Sequence, residues 1–146
     1  MTGSNPFQFR APRLLFAALA LASGFAAAWL IFSWAASDFR DLNPIVLEIL
    51  FWPSAIGALL SATSIGRKIW RGAATARVEI IVRHALAYGA AGFAWPLTFG
   101  LSALLQGDMG GALGNLLPAV AGLVIGAIAG ALSGAISAYV FIARST

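Results

Sequence analysis

Glu48 is the one acidic residue inside a long apolar stretch of this sequence. Ionisable groups within membrane helices are rare and by default mark proton relays or ion paths, so a coupling carboxylate is the chemistry Glu48 would offer. Its position favours a plainer role. It follows Ile45, where the stretch begins, by three residues. That is about 4.5 Å along a helix axis, close enough for the carboxylate to reach the headgroups with Arg40 as a partner.

His84 is the only histidine and stands beside Arg83. One imidazole supplies neither the paired axial ligands of a membrane haem nor a multi-histidine metal site, so a solvated helix edge is its expected environment. Asp38, Asp41 and Asp108 lie in polar connections with no histidine or activated nucleophile on their side, which leaves no pair for acid–base or covalent catalysis. The stretch from Gly107 to Gly114 is rich in glycine. It lacks the Lys and Ser/Thr of a phosphate loop and follows no strand, so it reads as a turn before a helix with Asn115 as cap. There are no cysteines, which excludes disulfides and thiolate chemistry. The chain is read as non-enzymatic, with no cofactor or metal.

The elements that carry these residues follow from composition. Of 146 residues, 60% are apolar and 10% charged, against roughly 45–50% and 25% in soluble domains. The apolar residues concentrate in four stretches, 14–36, 45–65, 85–105 and 116–143, each long enough to cross a hydrocarbon core as a helix. The first could pass for a secretory signal cleaved after Ala22, but it runs uncharged to Ala36, too far for a signal's apolar region. Residues 37–44 and 106–111 make short polar turns, so consecutive helices should be antiparallel neighbours. The expected fold is an all-α integral membrane protein, a single domain built as a four-transmembrane-helix antiparallel bundle.

Charge orients it. The connection 66–84 holds Arg67, Lys68, Arg71, Arg77 and Arg83, and the N-terminus, this connection and the C-terminus share one side. With Arg10, Arg13 and Arg144, eight of the nine basic residues fall there. Lys and Arg are retained in the cytoplasm during insertion, which puts both termini inside and favours a bacterial inner membrane. The net +4 therefore reads as orientation, with no nucleic acid implied. Trp70 among the basic residues resembles an interfacial anchor, and the patch could attract anionic lipids. Glu79 and Arg83, at i and i+4, continue the third helix toward the cytoplasm.

Two packing patterns complete the sequence. Every fourth residue of the last stretch is small, Gly122, Gly126, Gly130 and Gly134, while Val120, Val124, Ile128, Leu132 and Ile136 form a ridge about 200° away. Small faces let membrane helices approach closely, either inside the bundle or between subunits. The tetrad Trp-Pro-x-x-x-Gly occurs twice, with Pro53 and Pro96 expected to kink the second and third helices and free the carbonyls of Ile49 and Gly92. Ser54 and Thr98 are placed to satisfy those carbonyls. The expected role is association within the lipid bilayer, as an accessory, scaffolding or assembly subunit with other membrane proteins, or as a small homo-oligomer. The alternative is a small transporter or channel using the kinks and Glu48.

Overall fold

The computed structural model describes residues 11–35, 44–70 and 76–142, and among them every element is a helix. The elements are α1 (Ala11–Ala35), α2 (Pro44–Trp70), α3 (Arg77–Leu105), α4 (Met109–Gly114) and α5 (Leu116–Ile142). The four long helices have 25, 27, 29 and 27 residues, about 38–44 Å each. Asp38, Arg40, Asp41, Arg71 and the terminal Arg10 and Arg144 lie outside the described residues.

Three helices are long and apolar enough to cross a membrane, over Leu15–Trp34, Val46–Ile65 and Met109–Val140. The third expected span is as long, but Tyr88, Trp95, Pro96, Thr98 and three glycines dilute its apolarity. That dilution has a structural counterpart: α3 is the helix that packs along both α2 and, most extensively, α5. Helix and apolar span also differ in extent. The connection 66–84 was expected to begin at Gly66, yet α2 runs on to Trp70 and α3 starts at Arg77. Apolarity reports what lipid tolerates, whereas the backbone ladder continues wherever nothing breaks it.

Contacts fix the topology. Each long helix packs mainly on two neighbours, in the ring order α1, α2, α3, α5, and every neighbouring pair is antiparallel. Phe16, Ile65, Ile80 and Ala138, one residue from each long helix, form a single buried layer. The start of α1, the end of α2, the start of α3 and the end of α5 therefore share one end of the bundle. A second layer holds Ala20, Ala58 and Tyr88, and a third holds Ala27, Ala28 and Ala129.

The interior combines alanines and a few large apolar side chains, Phe16, Leu50, Ile65 and Ile80, with polar groups, and many large apolar residues face outward. The interior holds Ser54, Ser61, Ser133, Ser137, His84 and Tyr88, whereas Leu30, Leu59, Leu86, Leu105, Leu117 and the ridge from Val120 to Ile136 are exposed.

The turn between α3 and α5 is specified locally. Gly107 has φ +79, and its N–H donates to Leu104 while that of Asp108 donates to Ala103, the paired closure of a helix ending in a left-handed glycine. The Asp108 carboxylate then accepts from the N–H of Gly111 at 2.9 Å and caps α4. The expected cap, Asn115, instead closes α4 from its far end, its amide donating to Gly111 O at 2.8 Å.

Candidate functional site between the proline-bearing helices

The glycine column of α5 lies against α3. A β-carbon placed at Gly122, Gly126 or Gly130 would stand 2.8 Å from the carbonyl carbon of Gly92, Tyr88 or His84 respectively, and one at Gly134 would stand 2.7 Å from the Cα of Ile81. Each step of four along α5 meets a step of four back along α3, so backbone touches backbone at every turn. Within the chain, then, the column is already occupied. The Gly92 carbonyl, which Pro96 releases from its own ladder, is aimed at Gly122, and the Gly122 carbonyl is aimed at Gly92. This reciprocal approach suits weak Cα–H···O contacts.

Above this zipper the interior is polar. The Tyr88 hydroxyl donates to the carbonyl of Ala20 at 2.5 Å, and room for the ring comes from Gly24 and Gly57, where a side chain would overlap it. Ser133 lies 2.9 Å from Ser23 and 3.1 Å from Ala20 O, and Ser23 lies 2.6 Å from Leu19 O. A serine has one proton to give. Tyr88 therefore serves Ala20, and the chain Ser133 to Ser23 to Leu19 uses each hydroxyl once.

His84 is fully buried, not solvated as its place at the edge of an apolar stretch implied. It stacks on Tyr88 with centroids 6.4 Å apart and receives Phe16 edge-on at 5.6 Å. Because α2 and α3 extend past their apolar stretches, the bundle core reaches further than the span does. Nδ1 lies 2.9 Å from Ile80 O; a carbonyl only accepts, so the proton sits on Nδ1. Nε2 is left as a buried acceptor with no partner among the described residues, where the buried hydroxyls of Ser61 and Ser137 likewise have none.

The two Trp-Pro tetrads come together. Trp52 and Trp95 stack at 6.4 Å and 23° between α2 and α3, and Phe51 and Phe99 pack edge-on against them at 5.6 Å. Ser54 donates to Leu50 O at 2.8 Å and Thr98 to Trp95 O at 2.7 Å. Contrary to the expectation from sequence, neither serves the carbonyl its proline frees; each hydroxyl bonds back within its own turn. Beside Pro53 and Pro96 the four helices line a cavity of about 190 Å³, with Pro118, Tyr88, Ile125 and Ala129 among its other residues. Its wall is apolar apart from Ser54, Trp95 and the edge of Tyr88.

The remaining sequence candidates lie at the two ends. Glu48 is exposed in the second turn of α2, on a shallow groove with Ile49, Trp52, Trp95 and Phe99; Ile49 and Trp95 also line the cavity. At the other end Lys68 and Arg83 converge on Glu79, Arg83 Nε at 2.9 Å. The Lys68 ammonium, followed by Arg83, holds the Glu79 carboxyl below the usual carboxylate range. Two charges of the basic patch are thus engaged in linking α2 to α3. Arg77 is exposed, and the Arg67 side chain is outside the described residues. Among the described residues no three His, Asp or Glu converge on one point.

Comparison with protein-family models, with curated proteins and with solved structures finds no match.

Proposed function

We propose that the chain is a non-enzymatic integral membrane protein of four spans, with the start of α1 and the end of α5 in the cytoplasm. It would act by association in the bilayer, as an accessory, scaffolding or assembly subunit or as a small homo-oligomer. The observation that carries this reading is the distribution of side chains: small and polar residues make up most of the interior, and many large aliphatic and aromatic ones face outward. In lipid such an exterior is at rest, and contact with another membrane protein replaces acyl chains with side chains. Placing α3 as the fourth span follows from its position between α2 and α5. The orientation follows from the basic residues gathered at the Phe16–Ile65–Ile80–Ala138 end, with an inner membrane as the proposed location. An uncleaved α1 is supported by Ala20, which lies before the alternative cleavage point and accepts the Tyr88 hydroxyl of α3.

Cross-linking in native membranes, followed by purification in mild detergent, tests the reading. Discrete higher-mass species of fixed composition are expected. A lone monomer at every concentration would remove it, and a reporter fused after Thr146 that is active only on the outer side would reverse the orientation.

A second reading, a small transporter, is favoured by one observation: the groove that holds Glu48 shares Ile49 and Trp95 with the cavity. Flux in proteoliposomes that disappears in Glu48→Gln is its expected signature.

A further inference from the structure

We propose that the aromatic grooves beside Glu48 bind an amphipathic organic cation, a quaternary ammonium whose charge rests against the carboxylate and the ring faces. Five rings run in an unbroken series across three helices. Phe25 of α1 lies edge-on to Phe51 of α2 at 6.0 Å, and Phe51 to Trp52 at 5.6 Å. Trp52 stacks on Trp95 of α3 at 6.4 Å, and Trp95 meets Phe99 edge-on at 5.6 Å. Glu48, one helical turn before Trp52, borders both grooves that this series walls, one with Trp52, Trp95 and Phe99 and the other with Phe25, Phe51 and Trp52. The groups that would select a guest are open to it. Trp52 is 46% exposed, Phe51 40% and Phe99 53%, and Glu48 is exposed with no ion pair among the described residues.

The lining decides the class of guest. Ring faces carry negative charge and attract cations, so carboxylate and rings favour the same sign. A calcium or magnesium ion needs about six or more oxygen ligands, and the grooves set a single carboxylate among Leu47, Ile49 and the rings. A quaternary ammonium has no N–H, so walls of this kind leave none of its groups unpaired. Depth selects an amphipathic form. Glu48 lies two residues into the apolar span that starts at Val46, and Trp52 lies four further, about 3 Å and 9 Å along the axis. The charge would rest at the edge of the hydrocarbon, with an apolar body along the rings below. A phosphocholine head fits less well, because it would set its phosphate beside the carboxylate. The site rests on the same groove as the transporter reading and gives that reading a ligand class; binding without a gradient is separate from flux, so either can fail alone.

The test uses the full-length protein in maltoside micelles with benzyltrimethylammonium as the probe, its binding followed by saturation-transfer NMR. Saturable binding is expected. Glu48→Gln should weaken it about fivefold, the upper range for an exposed charge pair. Trp52→Leu or Phe99→Leu should weaken it about two- to fivefold, the loss of one cation–ring contact at an exposed position. Phe99 is the most exposed of the five rings, so its variant keeps the test available where Trp52→Leu disturbs the fold. Glu79→Gln, which removes a carboxylate at the opposite end of the bundle, should leave the affinity unchanged. Binding indifferent to Glu48→Gln, or weakened as much by Glu79→Gln, would overturn the proposal, and so would binding indifferent to both ring changes. Displacement of the probe by phosphocholine at equal concentration would overturn it as well, assigning the groove to a lipid head.

Discussion

The phenolic hydroxyl of Tyr88 donates to the main-chain carbonyl of Ala20 at 2.5 Å, tying α3 to α1 across the bundle. Around that bond Gly24 and Gly57 give way to the ring, and Gly126 and Gly130 bring α5 against the backbone that carries it. Tyr88→Phe keeps the ring and removes the bond. Hydrogen bonds between membrane helices are worth about 0.6 kcal/mol on average and seldom above 1.7, so a loss of about 0.5–1.5 kcal/mol is expected. Tyr88→Ala empties the centre of the bundle and should cost about 3–5 kcal/mol. Unfolding in mixed micelles, followed for both variants, measures the difference.

The glycine column makes a sharper contrast. Gly126→Ala sets a methyl against the Tyr88 carbonyl and must part α3 from α5, at an expected cost of about 1–3 kcal/mol. Gly114 belongs to the same every-fourth-residue series, but nothing lies within 4 Å of the position a β-carbon would take there. Gly114→Ala should be neutral or slightly stabilising. Equal effects in the two variants would show that α3 and α5 are not in contact along this face.

That column was legible in the sequence, and its partner was not, for a physical reason. Its counterparts on α3 are Ile80, Ile81, His84, Tyr88 and Gly92, mostly large residues, which the glycines meet chiefly at the main chain and at the Cβ of Tyr88 and His84. The helices and their order were legible because apolarity and turn residues are local. The burial of His84 depends on how far α2 and α3 run beyond lipid, which hydropathy does not encode. Tyr88, Ser23 and Ser133 carried a signal that passed unread: polar groups inside apolar stretches must be satisfied somewhere, and in a bundle that place is the facing helix.

The ion pairs of Glu79 make a pH-dependent tie between α2 and α3. Its carboxyl is held below the ordinary value of 4.5 by Lys68 and then Arg83. A depressed folded value means the unfolded chain binds the proton first as pH falls. The stabilisation is therefore complete above about pH 4.5 and is lost as pH drops through the folded value. The protection of the amides at the start of α3, taken relative to unstructured amides at the same pH, should be flat from neutrality down to that range and fall below it. Glu79→Gln should show the lowered protection at every pH.

Asp108 and Gly107 set where α3 stops and α4 begins. Asp108→Ala removes the acceptor for Gly111 N–H and should cost about 0.5–2 kcal/mol, the usual range for a helix cap. Gly107→Ala forces a side chain into φ +79, at about 1 kcal/mol. Both losses should appear as faster exchange of the amides from Asp108 to Gly111 while the Tyr88 layer stays protected.

His84 gives the prediction least like an ordinary core substitution. Its Nδ1–H bonds to a carbonyl, Ile80 O, that lies at the usual helical spacing of four residues, while Nε2 is buried without a partner among the described residues. His84→Phe keeps a flat ring between Phe16 and Tyr88 and removes the unpaired acceptor. Replacing a half-satisfied polar group by an apolar one of similar shape is close to neutral or stabilising, so the expected change is within about 1 kcal/mol of native or above it. His84→Ala removes the ring as well and should fall clearly below native, since a cavity then opens beside Phe16 and Tyr88. Unfolding monitored by tryptophan fluorescence separates the cases. A loss of more than about 2 kcal/mol in the phenylalanine variant would mean that Nε2 holds a bound group, with Ser61 and Ser137, whose buried hydroxyls also lack partners among the described residues, as the next positions to change.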